Sequence, residues 1–396
     1  MPTENDAMRE AGGPGSRAAR YVITFENASK DDFAIIGGKC AGLVALIASG
    51  AVVPTGFVVT TNAYADSMAA HHLPDAIARL TGGLTVDDIR GQARAAQEIR
   101  DLITARPMSE RVAEAIHAGY RALCERAGRE LPVAVRSSGT AEDLPEASFA
   151  GQGDTFLWTV GADAVIERVR DCWASLFTAR AIAYRAKNGY GHVVQQMAVV
   201  VQQMVNARSA GVAMSLDPSN GDRSKIVIES TWGLGEPLVS GLVTPDYFLI
   251  DKVLLEPVKR TIASKLQEMV VDPDARAAVM RSVEKGRQNI SSLTEGQLRA
   301  VASTVKAVEK ALGTPQDIEW AIDAAQQERD SVVLLQSRPE TVWSNKKSAP
   351  PAKSYATGIE GVLSTLLSPL ATRETRPNKN PEGGHYDGAG TLPKSL

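Results

Sequence analysis

Three cysteines in 396 residues, Cys40, Cys124 and Cys172, are too few, too far apart and odd in number for a disulfide framework, and no CxxC pair offers a metal or redox site. No uninterrupted apolar run reaches the roughly 18 residues a membrane-spanning helix needs. The first twenty residues carry Glu4, Asp6 and Glu10 and lack the apolar segment of a secretory signal. Basic charge is not in excess. The formal net charge is −3, the sequence pI is about 6.1, and Lys and Arg do not cluster with aromatics, which removes the electrostatic case for nucleic-acid binding. Internal repeats and long low-complexity tracts are missing too. These absences leave a protein expected in the reducing cytoplasm, with no nucleic acid and no membrane among its partners.

What is present is ordinary for a folded chain, with 44% hydrophobic and 22% charged residues, and the length suits two or three lobes of roughly 100 to 200 residues. Residues 1–20 read as a flexible tail, and the first strand is Tyr21 to Phe25. Ile35 and Ile36 lead into Gly37, Gly38 and Lys39, after which Leu43, Leu46 and Ile47 recur at helical spacing, so a glycine turn opens a helix. Residues 84–127 read as helices broken near Pro107, Pro132 to Val135 as a strand, and Ala162 to Lys187 as one long amphipathic helix.

From Met197 onward the texture turns to short β-rich runs at Val199–Val205, Gly211–Ser215, Lys225–Ser230, Tyr247–Ile250 and Val253–Leu255. A helix through Leu298, Val301, Val305, Val308 and Leu312 then precedes strands at Ile318–Ile322 and Val332–Gln336. This divides the chain into a first lobe over 21–196, a second lobe on antiparallel sheet over 197–342, and a linker and tail over 343–396. Within that tail Ile359, Val362, Leu363, Leu366, Leu367 and Leu370 step by three and four, a candidate docking helix over 359–370 that would cover either a partner or the chain's own second lobe.

Five segments place small or charged residues where an apolar run ends, which is where a scaffold presents side chains to a ligand. Gly37-Gly38-Lys39 can bring backbone amides and an ammonium to an anion, although alone it reads first as a tight turn with a solvated lysine. The strand Val133 to Val135 delivers Arg136 into a Ser/Thr/acid-rich turn, where its planar fork can clamp phosphate oxygens or pair with Glu142 or Asp143. The stretch from Phe149 through Gly151 and Gly153 to Thr155 alternates like a hairpin lid. Trp232 to Asp246 is a glycine-rich loop without GxGxxG spacing. Strand alternation puts Asp317 and Glu319 on one face and Gln336 with Arg338 on one face of the next strand. If those strands pair, an acid, an amide oxygen and a guanidinium converge, which suits either a magnesium bound partly through nucleotide phosphates or a cross-strand salt bridge.

In order, GGKCAGL with VVPTGFVVTTNAY, VAVRSSGTAEDLPEASFAGQGDTF, VVQQMV, STWGLGEPLVSGLVTPD, DIEWAI and LLQSRPET resemble the N-terminal nucleotide-binding region of the phosphoenolpyruvate synthase and pyruvate phosphate dikinase family, which rifampicin phosphotransferases share. The resemblance runs over residues 21–342. It implies an α+β, two-lobed ATP-grasp fold that takes ATP and Mg2+. By position it implies phosphate contacts from Lys39 and Arg136, a covering loop with Gly151 and Thr155, and an adenine border at Gln202 and Val205. Glu319 and Gln336 would hold magnesium, and Arg338 would stabilise the transferring phosphoryl group. Cys40 departs from the family pattern and reads as helix packing or, alternatively, an oxidation-sensitive thiol.

The family's phosphorylatable histidine sits in a Thr-Ser-His or Thr-Cys-His context, and His71, His72, His117, His192 and His385 all lie in others. The resemblance therefore implies a histidine-domain phosphocarrier on a partner subunit, which also handles the small-molecule acceptor. ATP would be cleaved to AMP and phosphate, with the β-phosphoryl group passing to that histidine. Among split relatives the ATP-binding subunits of phenylphosphate synthases are similar in size and content, implying phenol as the final acceptor. The alternatives are a subunit of a split phosphoenolpyruvate synthase or antibiotic phosphotransferase, and a non-catalytic ATP-sensing subunit.

Overall fold

A computed structural model describes residues 20–139, 154–188, 196–272, 274–326 and 332–344, all within one compact unit that extends to Asn345. The candidate docking helix at 359–370, the tail at 1–19, and the calls on Gly151, His192 and His385 lie outside the described residues.

The first sheet contains β1 (Val22–Thr24), β2 (Gly56–Val59), β3 (Val133–Gly139), β4 (Thr155–Thr159) and β5 (Met197–Gln203) in the order β1-β2-β5-β3-β4, every neighbouring pair antiparallel. The expected lobe boundary after residue 196 therefore moves. The run beginning at Met197 is the central strand of the first sheet, because its alternation serves two cores at once. Met197, Val199 and Val201 face a core built with helices such as Ile89–Ala105, Glu110–Ala127 and Ala162–Ser175, while Ala198 and Val200 face a second core. A strand apolar on both faces belongs in the middle of a sheet.

The chain leaves β5 through residues 204–206 and enters the second sheet, made of β6 (Ala207–Met214), β7 (Lys225–Trp232), β8 (Asp246–Asp251) and β9 (Pro257–Thr261). A separate two-stranded hairpin, β10 (Gln267–Asp272) and β11 (Ala277–Ser282), precedes β12 (Gln316–Asp323) and β13 (Val332–Pro339). The six-stranded order is β13-β12-β6-β7-β8-β9, again antiparallel throughout. Ile318, Trp320 and Ile322 of β12 face the second core with the helix Glu295–Leu312, whose start carries a Thr294/Gln297 capping box.

The helix Phe33–Ala48 lies in that same core, with Ile36, Cys40, Leu43 and Leu46 buried between the two sheets. Gly42 is what lets it lie so close to β13. A Cβ built there would stand 2.3 Å from the Ser337 carbonyl oxygen, a distance no side chain tolerates. Cys40 is fully buried in this core, and burial pushes its thiol up to about 12, so it is a packing residue and not a reactive thiol.

Two further expectations are corrected. The long helix from Ala162 is two, Ala162–Ser175 and Ala179–Asn188. Thr178 restarts the second by accepting from the Ala181 amide at 3.1 Å, and the buried Arg185 guanidinium satisfies the Leu176 carbonyl in the break. The expected strand at Val253–Leu255 is a turn, because Asp251 Oδ1 accepts the amides of both Val253 and Leu254 at 3.0 Å. The hairpin β10–β11 went unread in the sequence. It leaves the second lobe beside Gly233, where the Leu234 amide donates to the Met269 carbonyl at 2.8 Å, and reaches the first lobe through an Arg276–Glu130 ion pair at 2.9 Å.

Candidate functional site

Between the two sheets lies a cleft of about 1110 Å³. Its first wall begins at the glycine turn. Gly37 has φ 72° and ψ 169°, which interrupts the helix Phe33–Ala48 and makes Gly38 and Lys39 the start of a fresh helical turn facing the cleft. Ser138, from β3, serves that new N-terminus: its hydroxyl accepts the Cys40 amide at 3.3 Å and donates to the Ile36 carbonyl at 3.0 Å. The GGK turn and the VRSS strand, read separately in the sequence, are thus one fastened unit. This helix start and Lys39 line the cleft, an arrangement that favours an anion.

Arg136, on β3 opposite Thr155, extends from this wall to the second lobe. Its Nη2 donates to Glu319 Oε2 at 2.7 Å and to Gln336 Oε1 at 2.9 Å, and its Nη1 donates to the Leu335 carbonyl at 3.1 Å. The last contact exists because of a register shift. Glu319 pairs with Gln336 but Trp320 pairs with Leu334, so Leu335 is the extra residue of a bulge with its carbonyl released from the ladder. Asp317 lies opposite Arg338 in the same register, and Arg338 Nε donates to Asp317 Oδ2 at 3.3 Å. Acid, amide oxygen and guanidinium therefore converge on one face of β12 and β13. The alternative partners for Arg136, Glu142 and Asp143, lie outside the described residues.

At the other end, Gln202 of β5 lies opposite Ala134 and lines the cleft next to the crossing residue Val205. Gln202 Nε2 and Arg136 Nε are both buried with no hydrogen-bond partner among the described residues. Buried donors are usually matched, and an orphan that lines a cleft is a position where a ligand's acceptor can settle. All the candidate site residues that are described, Lys39, Arg136, Thr155, Gln202 and Val205 from the first lobe and crossing, and Glu319, Gln336 and Arg338 from the second, line this one cleft. Of the described histidines, none does: His71 bonds the Pro107 carbonyl, His72 is exposed at φ 52°, and His117 pairs with Asp163.

Two carboxyls that the sequence reading passed over also face the cleft. Glu229, on β7 two strands from Glu319 in the row Gln336–Glu319–Val212–Glu229, is held above its ordinary pKa by burial. Glu236, at the start of the short helix Glu236–Val239, is raised by burial and by Glu319, with Arg136 opposing. Asp317 is raised as well, chiefly by burial against the pull of Arg338. Period two along KIVIESTW was the signal available for Glu229. Glu236 lies within the glycine-rich segment Trp232 to Asp246, where no period singled it out.

Among the described residues no three His, Cys, Asp or Glu side chains gather as a protein-only metal cage would require. A magnesium that keeps phosphate and water ligands needs only one or two protein oxygens. Glu319 Oε2 and Gln336 Oε1 already share one cationic nitrogen, so the two oxygens fit a small cation. No helix among the described residues is long and apolar enough to cross a membrane.

Comparison with known proteins gives a match over residues 33–358 to the pyruvate phosphate dikinase AMP/ATP-binding domain. The chain is 42% identical over 350 residues to a probable phosphoenolpyruvate synthase of Methanothermobacter thermautotrophicus, covering 88% of this chain and 50% of that protein. It is 41% identical to the phosphoenolpyruvate synthase of Aeropyrum pernix, covering 84% of this chain and 44% of that protein, and 37% identical to that of Pyrococcus furiosus, covering 85% and 45%. The chain thus spans about half the length of the curated relatives it matches.

Proposed function

Since this chain belongs to the pyruvate phosphate dikinase AMP/ATP-binding family, we propose that its cleft binds Mg-ATP and prepares the β-phosphoryl group for transfer to a histidine on a partner subunit. The convergence of Arg136, Glu319 and Gln336 across two sheets, facing Lys39, carries this reading. Phosphoryl transfer requires positioning and charge neutralisation more than a covalent step by the protein, and this cleft supplies those.

Gln202 and Val205 border the base, with the orphan Gln202 Nε2 donating to it. Lys39 and the adjoining amides take phosphate oxygens from one side, while Arg136 and Arg338 take them from the other. Glu319 and Gln336 hold the magnesium, whose charge offsets that of the phosphates. The bond from the β-phosphorus to its bridging oxygen toward the α-phosphate breaks, that oxygen leaves with AMP, and the γ group is released to water as orthophosphate. The residues of this chain hold the phosphates in line for the incoming imidazole, which the partner contributes. Thr155, on β4, flanks the phosphates from the same cleft wall as Arg136.

The final acceptor is handled by the partner. Phenol rests on the likeness to the ATP-binding subunits of phenylphosphate synthases, and a split phosphoenolpyruvate synthase is favoured by the names of the relatives. Titration calorimetry on the purified chain tests the core of the reading, with Mg-ATP binding expected and its absence sinking it. Supplying phenol or pyruvate to the chain with its partner, and following AMP release, separates the two acceptors.

A further inference from the structure

Beside the crossing residues 204–206, sharing Ala207 and Leu234 with the wall of the nucleotide cleft, a second concavity of about 270 Å³ is walled by Arg208, Arg281 and Arg287. Its charge is unbalanced. Glu268, almost fully buried, accepts from Arg281 Nε at 3.0 Å and from Arg287 Nη2 at 3.1 Å, so one carboxylate answers two guanidinium groups. Arg208 has no carboxylate among the described residues; its Nη1 donates to Gln297 Oε1 at 2.7 Å, a neutral acceptor. Three guanidinium groups against one carboxylate leave two positive charges around one hollow.

Two of the three guanidinium groups are also held in place. Arg287 lies 4.3 Å and Arg208 5.5 Å from the centre of the Trp232 ring, which is buried and donates its Nε1 to the Arg287 carbonyl at 3.1 Å. Stacking on one indole holds the Arg208 and Arg287 guanidinium groups at the cavity wall, so they lose little freedom when a ligand joins them. Like charges gathered on one wall repel, and a further anion among them relieves that repulsion. Forked guanidinium groups match the oxygens of phosphate as they match those of a carboxylate, and the one carboxylate among the described lining residues is already engaged.

We propose that this hollow is an oxyanion site, distinct from the nucleotide cleft, that takes a phosphate group. The neighbouring backbone ties it to that cleft: the Gly233 amide donates to the Arg208 carbonyl at 3.0 Å, and the chain continues from Gly233 through Leu234 to Glu236 in the cleft wall. The site itself does not depend on the nucleotide reading.

The test uses the full chain and orthophosphate in titration calorimetry, against potassium chloride at matched ionic strength. Arg208→Gln with Arg281→Gln should weaken orthophosphate binding by roughly tenfold or more while leaving Mg-ATP binding within about twofold. Arg208→Gln alone, which removes contacts only to Gln297 and Trp232, keeps the test available if the pair fails to fold. Lys39→Ala, in the cleft, should leave this binding event in place. Glycerol 3-phosphate run in parallel tells a phosphate carried on a larger molecule, bound equally well, from the free ion alone. Equal orthophosphate binding by wild type and the Arg208 variants, or a response matched by chloride, would overturn the proposal. Failure of the nucleotide reading would appear separately, as loss of Mg-ATP binding with the orthophosphate response intact.

Discussion

One nitrogen of Arg136, Nη2, sits 2.7 Å from Glu319 Oε2 and 2.9 Å from Gln336 Oε1, bonding an arginine of the first sheet to two neighbouring strands of the second. Without nucleotide, the guanidinium neutralises the carboxylate proposed to hold magnesium. On the proposed reading Mg-ATP would exchange these partners, with Arg136 turning to phosphate and Glu319 freed to hold the cation. Arg136→Ala is expected to weaken Mg-ATP binding by roughly tenfold to a hundredfold, the cost of one charge-assisted contact at about 1.5 to 3 kcal/mol. Calorimetry reads this directly, and an unchanged affinity would remove Arg136 from the site.

Glu319→Gln and Gln336→Ala bear on the cation. In the wild type, chelating magnesium should weaken ATP binding by about tenfold or more, because the phosphates lose their bridge to the second lobe. In these variants the difference between ATP with and without magnesium should largely disappear. A full magnesium effect surviving in both would place the cation elsewhere.

Burial holds Glu229, Glu236 and Asp317 above their ordinary pKa values, and the sign of the consequence is definite. A carboxyl whose folded pKa is raised binds its proton more tightly in the native state, so its contribution to stability is complete below the unfolded value of about 4 and is lost as pH rises through the folded value. Glu236→Gln should therefore flatten the fall of the thermal midpoint with pH just above the ordinary carboxylate range, and leave the protein more stable at neutral pH. Thermal melts at successive pH values check this; a variant with the same slope as wild type contradicts it.

Much of this site was legible in the sequence because strand and turn rules are local. Alternation placed Asp317 with Glu319 and Gln336 with Arg338, and glycine at Gly37 announced the turn before Lys39. What was not legible depends on tertiary pairing. The membership of Met197–Gln203 in the first sheet follows from having apolar cores on both faces, which a single strand cannot reveal. The bulge at Leu335, the bond from Ser138 to Cys40 and the burial of Glu236 all join residues distant in the chain.

Gly37→Ala should be severely destabilising. Its φ of 72° costs a residue with a Cβ about 1 to 2 kcal/mol, and that Cβ would stand 2.2 Å from the Ser138 carbonyl oxygen. Denaturant unfolding should show a loss above that backbone cost alone, and nucleotide affinity should fall with it because Lys39 is two residues away. A loss no larger than the backbone cost would mean that the turn relaxes away from β3.

Alkylation of the folded chain should reach Cys124 and spare Cys40 and Cys172, both buried with thiols pushed upward by desolvation. Mass spectrometry after brief treatment, with and without denaturant, distinguishes the three. Rapid native labelling of Cys40 would show that the core beside Lys39 opens readily.

The close approach of Gly42 to Ser337 has a mechanical consequence. Lys39 lies three residues before Gly42 on one helix, and Arg338 directly follows Ser337 on β13, so the ammonium and the guanidinium hang from two backbones in van der Waals contact. The spacing of those two backbones is then a gauge set by packing, before any ligand arrives. A side chain larger than hydrogen at Gly42 would act as a wedge that widens the gauge while leaving every ligand-facing residue intact.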